Sequence, residues 1–478
     1  MTKISLQNKI QIDSVLSFIE ENDVKIVDIR FTDINGMWHH MSFPAKIVDA
    51  AFLTDGFCVD GSSIKGWSPI NDSDILVIPD ILKDNPVRMD PFAETATAFL
   101  FADTRTVRDG FLYNRDPRNI ARKAEAHLAK FGIANTAYFG PEAEFFVFDS
   151  VAYASEMTES FYYLDSNEFP QKNATREPGN HGARCPVKGG YFPVQPLDPL
   201  NDFRSDVVEA LTLMGLTIER HHHEVAPAQH EIGFKYGTLI DTADNLQIFK
   251  YGVRNGARTY GKTATFMPKP IFGDNGSGMH VHISIWNDSE PLFKGEEYSG
   301  LSELALFAIG GILKHAKSLN AFTNPTTNSY KRLVPGYEAP VICAYSASNR
   351  SAACRIPHVT NVNAKRFEVR FPDPTANAYL CFSALLMAAL DGIKHKIHPG
   401  EAQSVDLFEH KDIAASLPTV CGSLAEALAA LKTDHEYLLS GGVFDIDFIN
   451  TYIALKETEI TDINLRPHPQ EFIQYFNR

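Results

Sequence analysis

Glu142-Ala-Glu-Phe-Phe-Val-Phe148 is the stretch on which the reading of this chain turns. Aromatic and β-branched residues favour an extended strand, and a period of two sends Glu142 and Glu144 to one face with Ala143, Phe145 and Val147 on the other. Two later segments repeat the pattern. Met279-His-Val-His-Ile-Ser284 puts His280, His282 and Ser284 on one side, and Arg366-Phe-Glu-Val-Arg-Phe371 does the same for Arg366, Glu368 and Arg370. A solvated strand face is the ordinary reading of any one such segment. Such faces usually carry Lys and Thr, however, whereas these hold carboxylates, imidazoles and guanidinium groups, the types that bind divalent metals and phosphates. The three strands are therefore expected to line one polar cavity.

A fourth segment, His221-His-His-Glu-Val-Ala-Pro-Ala-Gln-His-Glu231, adds Glu224 and Glu231. An odd spacing would put them on opposite faces of a regular strand, so a turn at Pro227 is needed to reunite them. Adjacent histidines cannot all reach one ion, which makes the carboxylates better ligand candidates than His221, His222 or His223. Hard oxygen donors in the majority suit Mg²⁺ or Mn²⁺ far better than zinc. Gly256-Ala-Arg-Thr-Tyr-Gly-Lys-Thr263 matches the letters of a phosphate-binding P-loop, but that loop follows a strand and opens a helix. Here Leu246, Phe249, Val253 and Ala257 give a helical period before the motif and the text after it reads extended, so the P-loop is rejected.

The 478 residues, 44% of them hydrophobic, are enough for more than one domain. A formal charge of -15 argues against a nucleic-acid partner and leaves small metabolites as the natural ligands. Tyr379 to Leu390 is too short an apolar run to span a bilayer, Met1-Thr-Lys-Ile-Ser5 lacks the apolar core of a signal peptide, and the six scattered cysteines suggest neither zinc binding nor disulfide stapling. A cytoplasmic protein with reduced thiols is expected. From Lys25 to about Asp103 the text is β-rich, with a hairpin turn at Asn35-Gly36 and a strand at Leu76-Val-Ile-Pro79. Asp116-Pro117 then opens a helix that stops at Gly132. Further helical periods run over 202–215, 242–260, 301–319, 375–397 and 423–431. Two domains are expected, residues 1–112 and 113–478.

Long ordered motifs accompany these features. They are Val59-Asp-Gly-Ser-Ser-Ile64, Gly140-Pro-Glu-Ala-Glu-Phe-Phe146, Gly189-Gly-Tyr-Phe-Pro193 and His222 to Glu231, followed by Lys269 to His282, Asn324 to Pro340 and Arg366 to Pro374. Together they resemble the type I, bacterial, glutamine synthetases along nearly the whole chain. The resemblance implies an α+β protein with an amino-terminal β-grasp domain and a catalytic domain whose antiparallel sheet forms an open barrel flanked by helices. It implies a dodecamer of two stacked hexameric rings with active sites between neighbouring subunits. The implied reaction joins ammonia to the γ-carboxylate of L-glutamate at the expense of ATP, through a γ-glutamyl phosphate.

Carried over by the same resemblance, Glu144, Glu224 and Glu231 form one metal site and Glu142, His280 and Glu368 the other, with two or three Mg²⁺ or Mn²⁺ in all. Glutamate falls to Asn275, Gly276, Arg332, Glu338 and Arg370. ATP falls to Glu219, His282, Ser284, Arg350, Arg355 and Arg366. Asp60 is the ammonium-binding carboxylate, Glu338 closes the site, and Arg350 joins them as a catalytic group. A ligase for a larger amine would alter the ammonium site, and a non-catalytic relative would lose metal ligands; Asp60, Glu338 and all six ligands are present. Two positions depart from the family pattern. Asn363 stands where a nucleotide-contacting lysine is common, and Phe408 stands where many bacterial relatives carry the tyrosine that accepts AMP.

Overall fold

The computed structural model describes residues 6–170, 182–334, 339–347 and 349–478. A helix over Leu6–Glu21, not anticipated from the sequence, precedes six strands: β1 (Ile26–Thr32), β2 (Trp38–Pro44), β3 (Phe57–Asp60), β4 (Asp74–Pro79), β5 (Val87–Met89) and β6 (Thr97–Thr106). They form one sheet in the order β2-β1-β6-β4-β3, with β5 also on β6 and the β1–β6 pair parallel. The turn joining β1 to β2 is the expected one. Gly36 adopts φ +86°, a left-handed conformation that suits glycine, and its N–H bonds to Asp33.

Asp116 caps the next helix, Pro117–Phe131, through the N–H of Arg118, and Gly132 ends it in the left-handed region, as its sequence predicts. Arg118 ties the two parts of the chain together. Its buried guanidinium bonds Asp80, beyond the end of β4, at 2.7 Å and Asp244, on the helix Leu239–Thr259, at 3.0 Å.

The larger part is built on β7 (Thr136–Phe148), followed by a projecting hairpin of β8 (Ser150–Ser155) and β9 (Ser160–Asp165). Then come β10 (Ile218–His223), β11 (Gln229–Phe234), β12 (Gly237–Thr238), β13 (Thr263–Thr265), β14 (Met279–Asn287) and β15 (Glu290–Pro291). The last strands are β16 (Ile342–Ala347), β17 (Ala352–Ile356) and β18 (Phe367–Val369). Ten of these make a curled sheet in the order β10-β11-β7-β14-β18-β17-β16, with β12 and β13 on β7 and β15 on β14. It is antiparallel as expected except at β16–β17, which run parallel.

Helices pack behind this sheet. Ala378–His395 is buried nearly all round, and its Phe382 stacks on Phe139 of β7 at 5.1 Å. Gly256 of the rejected P-loop lies inside the helix Leu239–Thr259, where a side chain would meet Val207 at 2.5 Å, so it is a packing glycine. The period over 301–319 proves to be two helices, Glu303–Lys314 and Ala316–Thr323, broken at His315. The imidazole of His315 is held between Asp391 and Asp434, each at 2.9 Å, which fixes the break. Helices over Ile446–Asn464 and Pro469–Tyr475 complete the chain. No described helix is long and apolar enough to cross a membrane.

Candidate active site

β7 organises the site because it changes neighbour along its length. From Thr136 to Ala143 it runs beside β14, which sets Glu142 directly across from His280. From Glu144 to Phe146 its other edge runs beside β11, which sets Glu144 across from Glu231. β11 in turn sets Glu231 across from His222, and β18 sets Glu368 across from His282 on one side and Arg355 on the other. Sheet register thus sorts the alternating polar residues into two clusters on one face.

In the first cluster, donor atoms of Glu142, His280 and Glu368 lie within 4.8 Å of one another. His280 Nδ1 is 3.6 Å from an oxygen of each carboxylate. Cations close in from outside. Arg220 donates to Glu142 at 2.9 Å, Arg370 donates to Glu368 Oε1 at 2.6 Å, and Arg355 pairs with the other oxygen of Glu368. Burial pushes Glu142 upward, but His280 and His282 beside it outweigh that and hold the carboxyl well below its ordinary range. Glu368 is likewise lowered, the burial opposed by His280, His282, Arg370 and Arg355. Burial lowers His280, against the pull of Glu142 and Glu368, in the direction that favours an imidazole able to act as a ligand.

The second cluster brings His222, Glu224 and Glu231 within the same 4.8 Å limit. Pro227 lies in the turn between β10 and β11 that reunites the two carboxylates, closed by Glu224 N–H to the carbonyl of Gln229 at 2.8 Å. Of the three histidines only His222 faces the cluster; His221 accepts from Arg204, and His223 turns inward to Glu168. Glu144 joins from β7 and accepts from Gln229 Nε2 at 2.9 Å and from the N–H of Gly278 at 3.0 Å. Burial and then Glu231 push Glu144 up to about 8; burial and then Glu144 and Glu231 push Glu224 up to about 9. Crowded, dehydrated carboxylates of this kind match the demand of a divalent cation, which removes their repulsion on binding.

Beside the first cluster opens a cavity of about 250 Å³ whose wall includes Glu142, Glu219, Arg220, His282, Ser284 and Arg366. Arg366 Nε donates to His282 Nδ1 at 3.2 Å. Tyr138, Phe234, Tyr236 and Trp286 supply aromatic faces that the sequence reading missed. The signal was there, since Tyr138 shares the parity of Glu142, and Trp286 that of His282 and Ser284.

The remaining candidates fall in different places. Arg332 donates to the carbonyls of Phe371, Pro372 and Arg370, and its charge acts on Glu144. Asn275 and Gly276 lie on the loop that reaches Glu144 through Gln229, whose amide also donates to the carbonyl of Gly276. Arg350 lies beside Tyr191 and its charge acts on Tyr191 and Glu224, and it does not line the cavity. Asp60 is exposed at the end of β3 and accepts from Ser62 and Ser63 of its own turn, which lowers it. Glu338 lies outside the described residues. Asn363 accepts from Lys294 at 3.5 Å next to Ala364 of the cavity wall.

Two oxygen-rich clusters beside a cavity with aromatic and basic walls have the donor chemistry of a metal-dependent enzyme that handles phosphate. Residues 114–475 match the family described as glutamine synthetase, catalytic domain, and residues 23–106 match glutamine synthetase, beta-Grasp domain. The chain is 56% identical to the glutamine synthetase of Rhizobium meliloti (strain 1021) over 97% of its own length and 99% of the relative's. Its fold is similar to that of the Plasmodium falciparum glutamine synthetase, with TM-score 0.87 and 30% identity over 97% of this chain and 98% of that one. It is also similar to a structure described as a GmaS/ADP complex, with TM-score 0.81 and 27% identity over 97% and 99% of the two chains. The chain belongs to the glutamine synthetases and is a glutamate–ammonia ligase, a class of enzyme that uses ATP and a divalent metal.

Proposed function

We propose that Glu142, His280 and Glu368 hold one divalent ion and Glu144, Glu224 and Glu231 another, with two or three Mg²⁺ or Mn²⁺ per site. ATP occupies the cavity of Glu219, His282, Ser284 and Arg366, its phosphates directed toward Arg350 and Arg355. The observation that carries this reading is that Glu142 belongs both to the first cluster and to the cavity wall. Bound metal supplies charge neutralisation for the phosphoryl group as it moves. Glutamate lies against Asn275, Gly276, Arg332, Glu338 and Arg370.

A carboxylate is a poor electrophile, so the γ-carboxylate of glutamate attacks the γ-phosphorus of ATP; ADP leaves and an acyl phosphate forms. Arg355 and Arg370, already anchored on Glu368, spread the negative charge as that transfer proceeds. Ammonia then attacks the activated carbonyl and phosphate leaves. Asp60, held ionised by its serine partners, supplies the charge that binds ammonium and helps draw off its proton, and Glu338 closes the site against water. The exposure of Asp60 and its purely local partners support its use by a neighbouring subunit, in a dodecamer of two hexameric rings. The separate strands of the two sheets support domains of residues 1–112 and 113–478. The cytoplasm, where ATP and glutamate are supplied, is the proposed location.

Release of phosphate and glutamine from glutamate, ATP and ammonium with Mg²⁺ or Mn²⁺ tests the reaction; no ammonium-dependent phosphate would sink it. Sharing between subunits is tested with Asp60→Ala and Glu338→Ala, each expected inactive alone. Verified mixed oligomers should recover part of the activity, and no recovery would place both residues in one chain's site.

A further inference from the structure

Behind the second cluster lies a buried carboxylate with no part in the chemistry above. Glu168, beyond the hairpin of β8 and β9, is 6% exposed. Its Oε2 accepts from the backbone N–H of Ala228 at 2.5 Å and lies 2.8 Å from His223 Nε2. Ala228 holds φ +66°, a left-handed conformation that alanine avoids, so the turn it belongs to needs support from outside its own sequence. His223 Nδ1 lies 2.7 Å from the carbonyl oxygen of Gly190 and 2.6 Å from that of Glu224. Both are acceptors, and so is Glu168 Oε2 on the other side of the ring, so both ring nitrogens face acceptors and donate. Glu168 therefore grips the segment of Glu224 from both ends, through His223 before it and Ala228 after it.

What the turn carries makes the grip matter. Glu224 stands at its start, and Gln229 at its end reaches Glu144 at 2.9 Å and the carbonyl of Gly276 at 3.2 Å. Glu231 follows two residues later on β11. Ala226 and Ala228 rest with Phe146, Phe148 and Phe169 in a small apolar cluster separate from the main core. The second oxygen of Glu168 and Nε2 of His230, the neighbour of Glu231, are 3.9 Å apart, and neither has a hydrogen-bond partner among the described residues. A buried carboxylate is costly, and here it sits where a small shift of one turn would displace two carboxylates of the cluster together.

We infer that Glu168 is a positioning residue for the second metal cluster, setting the separation of Glu224 and Glu231 by tying down Ala228 and His223. The inference rests on the proposed metal role of that cluster. Its test is Mn²⁺ titration of the full-length protein, with free ion followed by electron paramagnetic resonance. Glu168→Ala should weaken one Mn²⁺ equivalent by about 10–100-fold, the usual loss when an outer partner of a metal ligand is removed. Glu168→Asp keeps the charge but withdraws it by one methylene, so it should fold readily and lose affinity in the same direction. Excess Mn²⁺ should restore kcat in both, while KM for ATP stays within roughly threefold because the cavity adjoins the other cluster. Phe169→Leu loosens the same apolar cluster and should lower thermal stability without changing Mn²⁺ affinity. Wild-type affinity for both equivalents in folded Glu168→Ala or Glu168→Asp would overturn the inference, as would an equal loss in Phe169→Leu. Glu224→Ala serves as the reference: full Mn²⁺ binding there would sink the metal reading itself.

Discussion

Glu142 and Glu144 are two residues apart on one strand and point to one face, yet their surroundings are opposite. Around Glu142 and Glu368 the guanidinium groups of Arg220, Arg355 and Arg370 stand in ion-pair contact. Around Glu144, Glu224 and Glu231 the described residues place one ion-paired guanidinium, that of the half-exposed Arg220, 3.9 Å from Glu231. Glu142 and Glu368 are thereby held low, whereas Glu144 and Glu224 are pushed up toward protonation. Cations of the protein already offset the first cluster's charge, whereas the second depends on something that binds to it.

The largest effect expected from this contrast is at Glu368, on which both Arg355 and Arg370 are anchored. Glu368→Ala should fold and assemble, lose one metal equivalent, and drop kcat by roughly 100–1000-fold, the scale of removing one preorganised charge-stabilising element. Elemental analysis beside an activity assay checks it, and equal activity with unchanged metal content would refute the assignment.

Next in size is the pH dependence of metal affinity. Glu144 and Glu224, at about 8 and about 9 without metal, must shed protons to bind an ion. Affinity at the second cluster should fall by about tenfold per pH unit for each proton displaced as pH drops from about 9 to 6. The first cluster, with its carboxyls held low and His280 lowered by burial, should change little over that range. Calorimetric titration at several pH values reads both, and parallel slopes would erase the contrast.

A smaller effect is on stability. A carboxyl raised on folding stabilises fully below its unfolded value near 4.3, and that contribution is lost as pH rises through its folded value. The metal-free protein should therefore melt a few degrees lower at pH 9 than at pH 6, and saturating Mn²⁺ should remove the difference. A metal-free melting temperature that rises over this interval would contradict the repulsion ascribed to the second cluster.

Smallest of all is an effect expected to be nil, at a position remote from both clusters in the sequence. Phe408 is half-buried in a turn where its N–H bonds to Asp406 at 2.8 Å. Phenylalanine offers no oxygen to a nucleotidyl donor, and no tyrosine lies between His398 and Leu417 to replace it. Incubation with a bacterial adenylyltransferase and ATP should leave intact mass and activity unchanged, with an adduct appearing only in Phe408→Tyr.

Period-two alternation by itself determined that Glu142, Glu144, His280, His282, Ser284, Arg366, Glu368 and Arg370 share polar strand faces, because side-chain direction along a strand is a local property. Local chemistry likewise determined the turn at Gly36 and the capped helix from Pro117, each end stated in a few adjacent residues. The break at His315 escaped the helical period because its cause, the pair Asp391 and Asp434, lies far along the chain. The division of one polar face into two clusters was decided only by tertiary structure. Which residue stands across from Glu142 or Glu144 depends on the edges where β14 and β11 dock, and their register is a long-range choice. That His222 and His223 face opposite ways is local alternation, but which of them meets the metal face and which turns onto Glu168 was decided by the register of β10 on β11.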